Sequence, residues 1–193
     1  IRTQNFRDLD ATIRLLICLY GPELLHVDLK FVTLDMLTQR VEEPVVLFSR
    51  DRHALERHLA QFRAQWPDMT PEWFESRAWI WLHYAVVKLG RGELFEAMGM
   101  LSFFREQVLG PMLYRRANLP QRGVRRIECH NIDPEGLLTS TLATHDRDSV
   151  SIAIRKAVDA YINLRADALP ENIADDAARR ALLAMLKAYS ERV

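Results

Sequence analysis

Two apolar runs lie close together near the start of the chain. Leu15-Leu16-Ile17-Cys18-Leu19-Tyr20 is followed by Gly21-Pro22 and then by a segment in which apolar and polar residues alternate. In that segment Leu25, Val27, Leu29 and Phe31 fall on one side, and His26, Asp28 and Lys30 on the other. A period of two over a short turn predicts two strands, about 13–20 and 24–34, paired as an antiparallel hairpin. Asp35 is placed to cap a short helix through Val41. Val45-Val46-Leu47-Phe48 reads as a third strand or an extended linker.

From about residue 51 the period becomes helical. A helix over 51–65 puts Leu55, Leu59 and Phe62 on one face, and Trp66-Pro67-Asp68 ends it. Thr70-Pro71 is a strong start signal, a hydroxyl cap followed by proline at the first helical position. That helix should reach Leu89 and break at Gly90-Arg91-Gly92. A further helix covers about 93–109, kinked or ended by Gly110-Pro111. Residues 117–134 read as a loop and 135–143 as a short helix. A helix capped by Asp148 runs to about 165, and a last one covers about 172–191 after Pro170. Strands first and helices after predict an α+β chain. It divides into a small antiparallel or mixed sheet domain, 1–48, and a mostly α-helical bundle domain, 51–193.

Composition sharpens this only in part. An apolar fraction of 49% supports a core, and Lys+Arg equals Asp+Glu at 26 each. No net field draws the chain to nucleic acid or an anionic membrane. No apolar stretch approaches the roughly 20 residues of a membrane span. Two cysteines without disulfide or zinc spacing fit a reducing, cytoplasmic setting. The six histidines show no zinc spacing either.

The candidate chemistry is carried by carboxylates, cations and aromatics. Asp28 lies between Val27 and Leu29 on its strand and shares its face with His26 and Lys30, so it reads as a solvent-facing residue or as a metal ligand. Two-metal phosphoryl transfer needs several such carboxylates. Asp8-Leu9-Asp10 has the Asp-x-Asp form but lacks a preceding Gly-Ser turn and a following apolar run, so it reads as a charged loop. On the helix 71–89, Arg77, Trp81, Tyr84 and Lys88 are spaced i, i+4, i+7, i+11 and share a face. The spacing allows a nucleotide wall, with cations on phosphate and an aromatic on the base. It equally allows aromatics packed in the core and cations reaching to solvent. Glu93 and Glu96 open the next helix. They suit the positive end of its dipole, or one of them, Glu93 before Glu96, is a general base. Arg52-x5-His58 and Arg77-x5-His83 have the short Arg-x(4–6)-His form of helical HEPN ribonucleases. Arg115, Arg116, Arg122, Arg125 and Arg126 concentrate positive charge around one loop.

Taken together, Arg14–Val32, the run Glu42-Glu43-Pro44-Val45-Val46-Leu47, and Arg77-x-Trp79-x-Trp81-x-His83-Tyr84-x3-Lys88-x2-Arg91-Gly92-Glu93 resemble a bacterial nucleotidyltransferase-domain family, polymerase-β-like and related to aminoglycoside adenylyltransferases. The resemblance implies a catalytic sheet domain followed by a helical substrate domain. It implies Mg²⁺ with ATP or another nucleoside triphosphate, and nucleotidyl transfer to the hydroxyl of a small molecule, such as an aminoglycoside-like one. Asp28 would match the third metal carboxylate. Arg77 and Lys88 would meet phosphates, Trp81 and Tyr84 would line the cleft, and Glu93 would be the base. The family's Gly-Ser and Asp-x-Asp elements are not in this sequence. The resemblance implies that they lie upstream, in a front part that is truncated, disordered or lost. The alternatives are a non-catalytic helical binding or homodimerisation domain with a vestigial strand pair, and a HEPN-type ribonuclease.

Overall fold

The computed structural model describes residues 4–7, 14–173 and 176–190. The Asp8-Leu9-Asp10 segment lies outside them. The fold is α+β and mostly helical, and it divides into two compact units, Ile1–Trp66 and Pro67–Val193. Among the described residues no helix is long and apolar enough to cross a membrane.

In the first unit, β1 (Gln4–Arg7), β2 (Arg14–Tyr20) and β3 (Leu25–Phe31) form an antiparallel sheet in the order β1-β2-β3. The hairpin turn uses Gly21 at φ +67°, a left-handed backbone that glycine adopts without strain. Cys18 opposite Val27 and Leu16 opposite Leu29 place one apolar face; Ile17 opposite Asp28 places the other. Val45, Leu47 and Phe48 form no strand and are 83–92% exposed, so this run is an extended linker. Asp35 does not cap the next turn. It is the first residue of a 3₁₀ segment, Asp35–Gln39, where its carbonyl accepts the Thr38 hydroxyl at 2.7 Å.

Helix α1 (Arg52–Ala60) starts at Asp51, whose Oδ1 accepts the Ala54 amide at 2.8 Å, and stops five residues before the sequence pattern suggested. It belongs with the strands and not with the helical unit. Arg40 is the reason. Its guanidinium donates to the carbonyls of Leu37, Leu59 and Phe62 and to the Glu43 carboxylate. Glu43 in turn accepts the Ala64 amide. The boundary therefore falls at Trp66/Pro67, beyond the 48/51 step expected from periodicity.

The second unit is built on α2 (Pro71–Gly90), α3 (Leu94–Phe104), α4 (Gly110–Arg116), a short α5 (Ile127–His130), α6 (Arg147–Arg165) and α7 (Asp176–Ser190). Thr70 caps α2 as its sequence signals, with its hydroxyl accepting the Trp73 amide. Asp146, and not Asp148, caps α6 through the Ser149 amide. The core is Phe74, Leu82, Val86 and Leu89 of α2 against Leu101 and Phe104 of α3 and Ile154, Tyr161 and Leu164 of α6, closed by Leu182 and Leu186 of α7.

Gly110-Pro111 does not stop the helical run that begins with α3. Residues Arg105–Leu109 form a π turn, and the Gly110 amide reaches back to the Arg105 carbonyl. This i→i−5 step opens the helix by one residue just where proline lacks its own donor, so the chain passes through Pro111 into α4.

Candidate functional site

Asp28 sits on β3 directly opposite Ile17, with its side chain 56% exposed. Its Oδ1 lies 2.8 Å from Nε2 of His26, two residues back on the same face. The carboxylate is thus exposed on the polar face of the strand, with His26 and Lys30 to either side of it. Among the described residues no three His, Cys, Asp or Glu side chains cluster to hold a metal ion. A pair of Mg²⁺ ions needs several carboxylates, so the residues present do not by themselves fit such a centre.

In the helical unit, α2 does present Arg77, Trp81, Tyr84 and Lys88 along one face, and Trp73 extends the row. Arg77 lies over the Trp73 ring, 4.4 Å from its centroid, and donates to the Trp73 carbonyl and the Ser76 hydroxyl at 3.2 and 2.9 Å. Trp81 is clasped edge-on between Trp73 and Phe103, with centroids 5.8 and 4.9 Å away. These are packing arrangements, and they occupy part of the hydrogen-bonding capacity that a phosphate would use.

At the α2–α3 junction a charged cluster forms. Lys88 donates to Glu93 Oε2 at 2.5 Å and lies 3.7 Å from Glu96. The Tyr84 hydroxyl donates to Glu96 Oε2 at 3.0 Å, and Lys88 also sits 5.1 Å from the centroid of the Tyr84 ring. Arg91 adds a cation 3.8 Å from Glu93. Local sequence builds this cluster. The Gly92 turn, at φ +76°, lets the chain reverse so that Glu93, the residue before α3, faces the last turn of α2. The hydrogen bond from Lys88 holds the Glu93 carboxyl below its ordinary range, and the same bond holds the Lys88 ammonium above its own. A carboxylate stabilised in this way is a poorer proton acceptor. Glu96 is the more exposed of the two. Its second oxygen and the Tyr84 hydroxyl give the cluster groups able to meet a polar or cationic molecule.

The sign of the linkage follows from these directions. Glu93, depressed in the folded state, contributes stability above the unfolded value of 4.5 that is lost as pH falls through its folded value. Lys88, raised, contributes stability below 10.5 that is lost as pH rises through its folded value. Lys88→Met is expected to return the Glu93 titration toward the ordinary carboxylate range. A side-chain NMR titration reads this directly, and an unmoved Glu93 curve would remove Lys88 as the cause.

The Arg-x(4–6)-His spacing does not assemble a joint site on α2. Arg77 lies on Trp73, whereas His83 lines an open cleft of about 330 Å³ with Trp79, Ala178, Ala181, Leu182 and Met185. The basic loop is pinned at its base. The Tyr114 hydroxyl donates to the Arg125 carbonyl, and Glu106 accepts the Val124 amide. Arg125 and Arg126 are exposed.

Two features escaped sequence reasoning. Glu75 is 6% exposed, and its carboxylate accepts from the Trp79 indole at 3.0 Å, from the Tyr161 hydroxyl and from Arg165 at 3.1 Å. Burial, followed by the bond to Glu75, pushes the Tyr161 hydroxyl well above its ordinary value. Only the Glu75–Trp79 spacing of four could have hinted at this; Tyr161 and Arg165 come from α6. Secondly, all three guanidinium nitrogens of Arg115 are buried without a hydrogen-bond partner. The Phe74 ring lies 5.3 Å away, and burial lowers the Arg115 pKa.

Compared with known proteins, the chain matches no family model and no curated protein.

Proposed function

We propose that this chain works in nucleotidyl transfer, moving AMP from ATP to a hydroxyl of a small molecule, within a polymerase-β-like architecture. The observation that carries the reading is Asp28: the one carboxylate of the hairpin strand β3, exposed, with Oδ1 set by His26 on the same face. The described residues supply this one carboxylate and not a complete Mg²⁺ centre. The helical unit would hold the acceptor, with Glu96 and Tyr84 facing its hydroxyl or amino groups and Lys88 setting the charge of Glu93. Transfer of this kind gains most from positioning and charge complementarity.

The test is formation of nucleotidylated product from labelled ATP, Mg²⁺ and a panel of hydroxylated and amino-sugar acceptors. Asp28→Asn is expected to lower the rate about 100-fold, at the upper end of what loss of a group supporting a metal ligand costs, with the melting temperature unchanged. Equal rates for the two proteins would sink the reading.

A second reading, a non-catalytic binding module, is favoured by Arg77 and Lys88. Both cations are engaged within the helical unit itself. Absence of transfer with every nucleoside triphosphate and acceptor would move the balance to it.

A further inference from the structure

Strand β3 is an edge. Among the described residues it has β2 on one side and no strand on the other. A seven-residue strand with one apolar face and no neighbouring strand on its outer side among the described residues is a template for another strand. Leu25 and Phe31 on its apolar face are 64% and 53% exposed, and Leu29 and Val32 are also open.

We infer that β3 pairs with β3 of a second copy, antiparallel and centred on Leu29. The charges select the register. Self-pairing must keep the apolar face against the apolar face, so residues of like parity stand opposite one another. Centring on Asp28 sets Asp28 against the partner's Asp28, and centring on Lys30 sets two lysines together. Like charges directly opposite are destabilising. Centring on Val27 opposes no like charges but leaves Lys30 with no carboxylate across from it; only centring on Leu29 sets Asp28 against the partner's Lys30 and Lys30 against the partner's Asp28. The same register puts Val27 opposite the partner's Phe31 and Leu29 opposite the partner's Leu29. His26 takes only Oδ1 of Asp28, so the second carboxylate oxygen remains for the lysine. The sheet would then continue across the two-fold axis with its apolar face unbroken. One strand edge is a small contact, so the dimer is weak and concentration-dependent.

Pairing and metal binding would draw on the same carboxylate, so the experiment is run in EDTA, and its failure leaves the transferase reading standing. Sedimentation of the full chain should show a concentration-dependent dimer of the 22.4 kDa protomer. Asp28→Lys alone and Lys30→Asp alone each place like charges at both crossings and should raise the dissociation constant about 10-fold or more. Making the two exchanges together restores opposite charges and should restore the dimer. That rescue separates pairing from a folding defect, which circular dichroism of each variant checks. A monomer at every concentration overturns the inference. So does a dimer indifferent to the single exchanges, because it would be built on another face.

Discussion

Glu75→Ala is expected to destabilise the protein by about 3–5 kcal/mol, the cost of stranding a charge whose partner has been removed from the interior. Arg165 would keep its guanidinium, 13% exposed, with its acceptor gone. The Trp79 indole and the Tyr161 hydroxyl would lose the same acceptor. One carboxylate therefore satisfies three donors from two helices, α2 and α6, and its loss is felt at all of them. Tyr161→Phe removes only one donor and should cost less, about 1–2 kcal/mol. The pair also predicts the alkaline limit. Tyr161 has a raised folded value, so its contribution is complete below the unfolded value of 10.0 and is lost as pH rises above it. Chemical denaturation of the three proteins at neutral pH, repeated for wild type above pH 10, reads these effects. If Glu75→Ala unfolded within about 0.5 kcal/mol of wild type, as an exposed surface change does, the buried network would not be what joins α2 to α6.

The sequence is informative where structure is local. The hairpin follows from alternation and a Gly-Pro turn, and α2 follows from Thr70-Pro71, because a cap and a fixed proline φ act within one turn. The shared face of Arg77, Trp81, Tyr84 and Lys88 also follows from helical geometry alone. What that face does is not local. Trp81 meets Phe103, and Lys88 meets Glu93, only because the Gly92 turn folds α3 back on α2. The unit boundary was misplaced for the same reason. Periodicity sees α1 as one more helix, whereas Arg40, reaching residues 59 and 62, ties it to the segment that follows β3. Asp28 is legible as an outward carboxylate, but its metal role depends on partners beyond the strand. The buried Glu75 resembled any acidic residue in the first turns of a helix. Nothing within a few positions announces Arg165 or Tyr161.

Gly110→Ala is expected to cost about 3 kcal/mol, at the upper end for overpacking. A β-carbon there would lie 2.2 Å from the Gly123 carbonyl oxygen and 2.7 Å from its carbon. Both are backbone atoms, so no side chain can swing aside. The loop must lift, and its ties go with it: Tyr114 to the Arg125 carbonyl, Glu106 to the Val124 amide, and Gln121 to both backbone groups of Met69. The same substitution at Gly99, also helical, meets nothing within 4 Å. Gly99→Ala should therefore stabilise by about 0.5–1 kcal/mol, through helix propensity. Opposite signs at two glycines of neighbouring helical segments separate close packing from backbone entropy. Thermal melts give the signs, and amide exchange across 120–126 shows whether the loop has opened. Protection there equal to wild type, with a melt lowered by less than about 1 kcal/mol, would mean that α4 itself yields. The π turn at Arg105–Leu109 would then be the compliant element, and the 120–126 loop the fixed one.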